Sequence, residues 1–102
     1  MSEFLRLYQS AVDPTDVKEM ERLFLDDVVP AFSRATGCVG IELTVSVEPN
    51  AGGLVEGAAI SRWSSLEEMA TAMASRDVQE ALVRVRQLLR QEPVSKVLQV
   101  LQ

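Results

Sequence analysis

Residues 38–48, CVGIELTVSVE, alternate without a break. Val39, Ile41, Leu43, Val45 and Val47 fall on one side of an extended chain, and Cys38, Gly40, Glu42, Thr44 and Ser46 on the other. The period of two predicts a strand. PNAGG, residues 49–53, has the residues of a turn, and LVEGAAISRW, residues 54–63, returns as the second strand of a hairpin. Near the start, EFLRLYQ alternates more weakly and predicts a strand over 3–9.

Elsewhere the spacing is helical. Val17, Met20, Leu23, Phe24 and Val28 recur at three and four residues. Asp13 is placed to cap this helix, Pro14 suits its first position, and Asp16 adds negative charge at the positive end of the dipole. Pro30 removes a backbone donor, so a kink or an early end is expected there, with Phe32 still reaching the core; Gly37 is a stop. SSLEEMATAMAS, residues 64–75, opens with a capping box and carries an apolar stripe of Leu66, Met69, Ala70 and Met73. A further helix runs from Ser75 to Glu92, with Val78, Ala81, Leu82, Val85, Leu88 and Leu89 facing inward. Pro93 ends it, and VSKVLQVL, residues 94–101, is a last strand.

The order is β-α-β-β-α-α-β. It predicts an α+β, ferredoxin-like single domain over residues 1–102, an antiparallel sheet with its helices on one face. Three of the four strands carry apolar or small residues on both faces, although such a sheet leaves one face wet. A second copy of the chain is the simplest cover, so a homodimer is expected.

Composition narrows the function. A net charge of -5 lacks the basic footprint that nucleic acid requires. No apolar run is long enough to span a bilayer. The N-terminal MSEFLRLYQS has no cleavable signal pattern, and the single cysteine, Cys38, forms no intrachain disulfide. A cytoplasmic location is expected. Histidine is absent, which removes the usual proton-transfer group and the commonest metal ligand. No Gly-rich phosphate loop is present, since AGG at 51–53 sits between two strands. No metal, haem or flavin cofactor is expected.

Two stretches, PAFSRATGCVGIEL and ISRWSSLEEMATAMAS, together with the element order, resemble the antibiotic-biosynthesis-monooxygenase-like domains of the dimeric α+β barrel superfamily. The resemblance covers nearly the whole chain. It implies a homodimer whose sheets face each other and a cavity between sheet and helices. Some members of the family oxygenate aromatic polyketides without metal or flavin, and others degrade haem. The haem-degrading members carry a tryptophan and a histidine in the helices that follow the hairpin; Ala72 and Leu82 stand at those places here, which disfavours that branch.

Against this background a few residues carry candidate chemistry. Arg6 and Tyr8 share a strand face with Phe4; Arg6 is placed to hold an oxyanion and Tyr8 to donate to a phenol or quinone oxygen, or both are ordinary edge residues. Glu42, inside an apolar strand, is a base or the structural partner of an arginine such as Arg62. Trp63 is a pocket wall or a plug at the strand end. If opposed residue numbers in the hairpin sum to 101, Ile41 meets Ile60, and Trp63, Ser61, Ala59 and Gly57 share a face with Cys38, Gly40 and Glu42. That face of small side chains predicts a cavity floored by Gly57 and Ser61 and rimmed by Trp63, suited to a small aromatic substrate. A catalytic monooxygenase and a non-catalytic small-molecule-binding or accessory protein both fit this reading.

Overall fold

A computed structural model of the chain describes residues 3–102. Its elements are β1 (Glu3–Val12), α1 (Val17–Leu23), a π-helical turn (Phe24–Val28), α2 (Val29–Ser33), β2 (Cys38–Val45), β3 (Val55–Trp63), α3 (Leu66–Met73), α4 (Arg76–Arg86) and β4 (Val94–Val100). The strands form one antiparallel sheet in the order β2-β3-β1-β4. The helices lie over one face. Met20, Phe24, Val28, Phe32, Met69, Ala72, Val78, Ala81 and Val85 bury against Val12 and Trp63, with Phe4, Tyr8, Ile41, Leu43, Val55 and Ala59 packed beside them. This is the predicted α+β ferredoxin-like architecture.

The caps are where the sequence places them. The Asp13 carboxylate accepts from the Thr15 amide at 3.0 Å, opening a short 3-10 turn over Pro14–Asp16. The Ser65 hydroxyl oxygen accepts from the Glu68 amide at 3.1 Å and lies 3.1 Å from the Glu68 carboxylate, closing the capping box of α3. Gly37 sits at φ +88°, and a Cβ there would collide with the Glu68 side chain, so glycine at this corner lets the capping box close against β2. Ser65→Ala should lower stability by about 1 kcal/mol, measured by urea unfolding, with the far-ultraviolet spectrum retained.

Pro30 does not end the first helix. The chain stays helical to Ser33, and Phe32 is buried. The accommodation lies just upstream, in winding: over Phe24–Val28 the helix widens by one residue, and the Val29 amide donates to the Phe24 carbonyl. A proline has no amide to give to the preceding turn, and a wider turn moves the carbonyls its ring would otherwise strike. Two further expectations are corrected. Leu66 and Ala70 are exposed rather than part of the α3 stripe, and Ala72 is buried beside Met69 instead. The fourth helix stops at Arg86 instead of running to Glu92, because the chain turns back to β1, where the Arg90 amide donates to the Ala11 carbonyl at 2.8 Å and Leu89 bridges to Val12.

The largest correction concerns the hairpin. Cys38 does oppose Trp63, but a bulge between Cys38 and Gly40 shifts everything beyond it. Ile41 opposes Ser61, Leu43 opposes Ala59 and Val45 opposes Gly57. One residue of slip exchanges the faces of a strand. Ile41 and Leu43 thereby go under the helices, while Gly40, Glu42 and Thr44 turn to the open face with Arg62, Ile60 and Ala58. Partial burial of two large aliphatic side chains, each worth at most roughly 1.5–3 kcal/mol, favours this register over one that turns a glycine and a carboxylate under the helices.

Candidate functional site

The helix-covered face narrows toward one end of the hairpin. Phe4, Arg6, Tyr8, Ser10 and Val12 of β1 point to this face, opposed by Trp63, Ser61, Ala59, Gly57 and Val55 of β3. Opposite Tyr8 and Ser10 the β3 side chains are a methyl group and a hydrogen. Large side chains from the helices do not fill the space this leaves. The result is a cavity of about 60 Å³ between Tyr8, Leu43, Gly57 and Ala59 on the sheet and Phe24, Val28, Leu82 and Val85 on the helices. Among the described residues, Tyr8 and Ser10 bring the only polar side chains to its lining, and no charged side chain belongs to it. The Ser10 hydroxyl already donates to the Gln91 carbonyl at 2.6 Å, so a site of this kind chiefly holds an apolar body.

The cavity is smaller than the roughly 150 Å³ known to hold a benzene ring in a protein core. It adjoins a second cleft of about 260 Å³, where Val17, Glu21 and Leu25 line the gap between the first helix and β2. Phe24, Leu43 and Val45 belong to both. The two together give a ring room at the mouth. The shared wall, Phe24, starts the π turn, where helical hydrogen bonding is already loosened.

Trp63 and Ser61 are not at the cavity. Trp63 has no exposed surface; its indole N–H donates to the Ser61 hydroxyl at 2.8 Å, and its ring meets Phe32 with centroids 6.1 Å apart at 56°. The pair forms a satisfied core unit at the Cys38 end of the sheet, while the cavity lies at the Gly57 end. An indole that must bury both its area and its N–H finds both needs met there, and a ligand in the cavity does not touch it. Glu42 is also elsewhere. The bulge turns it onto the open face, where it is exposed and 3.9 Å from Arg62, which also meets Glu3 at 3.3 Å. It is a structural partner of Arg62 and lies across the sheet from the cavity.

Gly57 does line the cavity, and its hydrogen is required by the strand itself. A Cβ there would stand 2.9 Å from the Thr44 carbonyl oxygen, which is fixed backbone. Ala59 is the residue whose enlargement enters the cavity without that collision. Arg6 lies just beyond Tyr8 on the same face, its guanidinium 5.3 Å from the ring centroid and its terminal nitrogen 3.4 Å from the Ser95 hydroxyl. Burial pulls the Arg6 pKa down from its ordinary value, and the neighbouring Tyr8 hydroxyl opposes that shift. Burial pushes the Cys38 thiol up, its sulfur 3.7 Å from the Gly40 carbonyl. Among the described residues no group of three or more metal-ligating side chains stands close enough to hold an ion, and no helix is long and apolar enough to cross a membrane. The residues that sequence reasoning missed include Leu43 and Val45, read onto the opposite face, Ser10, and four on the helices. Phe24, Val28, Leu82 and Val85 read as ordinary core, and only the sheet opposite them shows that they roof a void.

The fold is that of an antibiotic-biosynthesis-monooxygenase-like domain. A provisionally named antibiotic biosynthesis monooxygenase from Bordetella bronchiseptica superposes with a TM-score of 0.79 at 19% identity, over 100% of both chains. One from Caulobacter crescentus, also provisionally named, gives 0.79 at 18% identity over 99% of this chain and 92% of that one. A mutant of SnoaB, a cofactor-independent oxygenase from Streptomyces nogalater, gives 0.67 at 19% identity over 98% and 92%. At these identities the likeness establishes the fold. No protein-family model and no curated protein sequence matches the chain.

Proposed function

We propose that this chain forms a homodimer that binds a small aromatic substrate in the cavity beneath the helices and oxygenates it without metal or flavin. The observation that carries the reading is the cavity itself, almost wholly apolar, with the Tyr8 side chain in its sheet wall. The neighbouring oxygenase with the same fold supports the reaction class. The chemistry asks little of the protein. An anthrone or quinol is acidic enough to lose a proton to solvent, and its anion is electron-rich enough to pass an electron to dioxygen. For an anthrone, recombination of the two radicals forms a C–O bond, and loss of water leaves a carbonyl where a CH₂ stood. One oxygen atom is kept and the other leaves as water. The protein binds the ring, stabilises the anion by hydrogen bonding and excludes bulk water. Tyr8, which lines the cavity, is the candidate donor.

Dimerisation is proposed from the open face. Leu5, Leu7, Ile60 and Leu98 share it, flanked by the Glu3, Arg62 and Glu42 group. A face this apolar in a short chain calls for a partner. Sedimentation should give a dimer at micromolar concentration, with at least about 1,200 Å² buried in total; a monomer would refute it.

A second reading, a non-catalytic small-molecule-binding or accessory protein in the cytoplasm, is favoured by one observation: among the described residues no basic side chain lines the cavity. Oxygen uptake with a panel of anthrones separates the two. The oxygenase reading predicts consumption of oxygen with a product that has gained one oxygen and lost two hydrogens. Saturable binding with no uptake would leave only the binding reading.

A further inference from the structure

We propose that Arg6 anchors a carboxylate on the ligand of the cavity, so that the site takes a small acid with an apolar body; this rests on the reading of the cavity as a ligand site. Apart from the exposed Arg90, every other arginine has a carboxylate within 4.0 Å. Arg6 has none among the described residues and is half-buried. A cation drawn out of water without a counter-charge costs free energy. Ring stacking on Tyr8 and one long hydrogen bond to Ser95 offset only part of that cost.

The placement makes the missing charge a ligand's. Arg6 lies outside the lining of the cavity but is the next residue after Tyr8 on the face that floors it, so an anchored head group and an apolar body fall in line along β1. On the other side Arg6 opposes Val97 of β4, which is exposed, as is Ser95. A solute can therefore reach the guanidinium from solvent. The Ser95 hydroxyl accepts from Arg6 and keeps its own proton to donate. Together the planar guanidinium and this hydroxyl match the two oxygens of a carboxylate. One cation in a chain of net charge -5 balances a monoanion and underbalances a phosphate.

The test uses benzoate and benzamide, which share a shape and differ in charge. Tyr8 is the only tyrosine, so a carbon-13 tyrosine label reports one ring, and the Gly57 amide reports the cavity floor. Both signals should shift with benzoate, at an affinity about tenfold or more above that for benzamide, as expected of a charge-assisted pair. Arg6→Met should reduce benzoate to the level of benzamide, and Arg6→Lys should keep part of the preference. Equal affinity of the two compounds for the native chain would overturn the inference and leave the cavity reading intact. A preference that survives Arg6→Met would overturn it too. No shift with either compound would remove both readings. Loss of self-association in Arg6→Met would assign the missing carboxylate to a second copy and overturn the ligand assignment.

Discussion

Trp63→Ala is expected to cost about 3–5 kcal/mol of folding stability, the range for removing a large buried aromatic ring. The whole stability of a domain this size is roughly 5–15 kcal/mol, so the variant should unfold at a much lower urea concentration or fail to accumulate folded. The physical reason is specific. The indole fills the Cys38 end of the core with no exposed surface, meets Phe32, and satisfies the buried Ser61 hydroxyl. Alanine removes the ring and leaves that hydroxyl without its donor. Trp63→Phe should recover most of the loss while still lacking the hydrogen bond. In Trp63→Phe, aromatic ligand affinity should stay within about twofold of the native chain, well under the 1.4 kcal/mol of a tenfold change. Urea unfolding and a ligand titration read the two effects separately. A stable Trp63→Ala chain that has lost its ligand would return the tryptophan to the pocket wall.

Ala59→Leu should do the opposite. The isobutyl group grows into a cavity of about 60 Å³ instead of into packed atoms. Overpacking a filled core costs about 1–3 kcal/mol, and an existing void lowers that cost. Stability should therefore change by less than about 1 kcal/mol. Ligand affinity, and oxygen uptake if it occurs, should fall at least about tenfold, because the added atoms occupy the space between Tyr8 and Phe24. Calorimetry with thermal unfolding of the same sample checks both halves. Gly57 is the weaker position for this test, since its substitution collides with the Thr44 carbonyl and disturbs the strand.

These two residues show where sequence was informative. Element order, caps and most inward-facing helix positions are local matters, written in residue spacing and in Asp13, Ser65 and Ser75, and they were legible; Leu66 and Ala70 of α3 are the exceptions. The presence of a void was legible as well, from Gly57 and Ala59 on one strand. Its position along the sheet was not. A single bulge beside Val39 exchanges the faces of β2, and nothing in CVGIELTVSVE announces it. The alternation is equally good in either register, and only the competition for cover beneath the helices decides it. Glu42 went to the wrong face for that reason. Trp63 was misplaced differently. Its strand, face and partner residue were right, but the room beside it depends on Phe32, whose approach follows from how the helix passes Pro30. The roof of the cavity, Phe24 in particular, was hidden because a wall of a void and a core residue carry the same side chains.

The most direct test of the account is a crystal structure with a bound hydroxyaromatic ligand. The account predicts the ring between Ala59 and Phe24, an oxygen within hydrogen-bonding distance of the Tyr8 hydroxyl, and Trp63 unmoved against Phe32 and Ser61. A ligand stacked on Trp63, or seated on the open face beside Glu42 and Arg62 with the space over Ala59 empty, would contradict it.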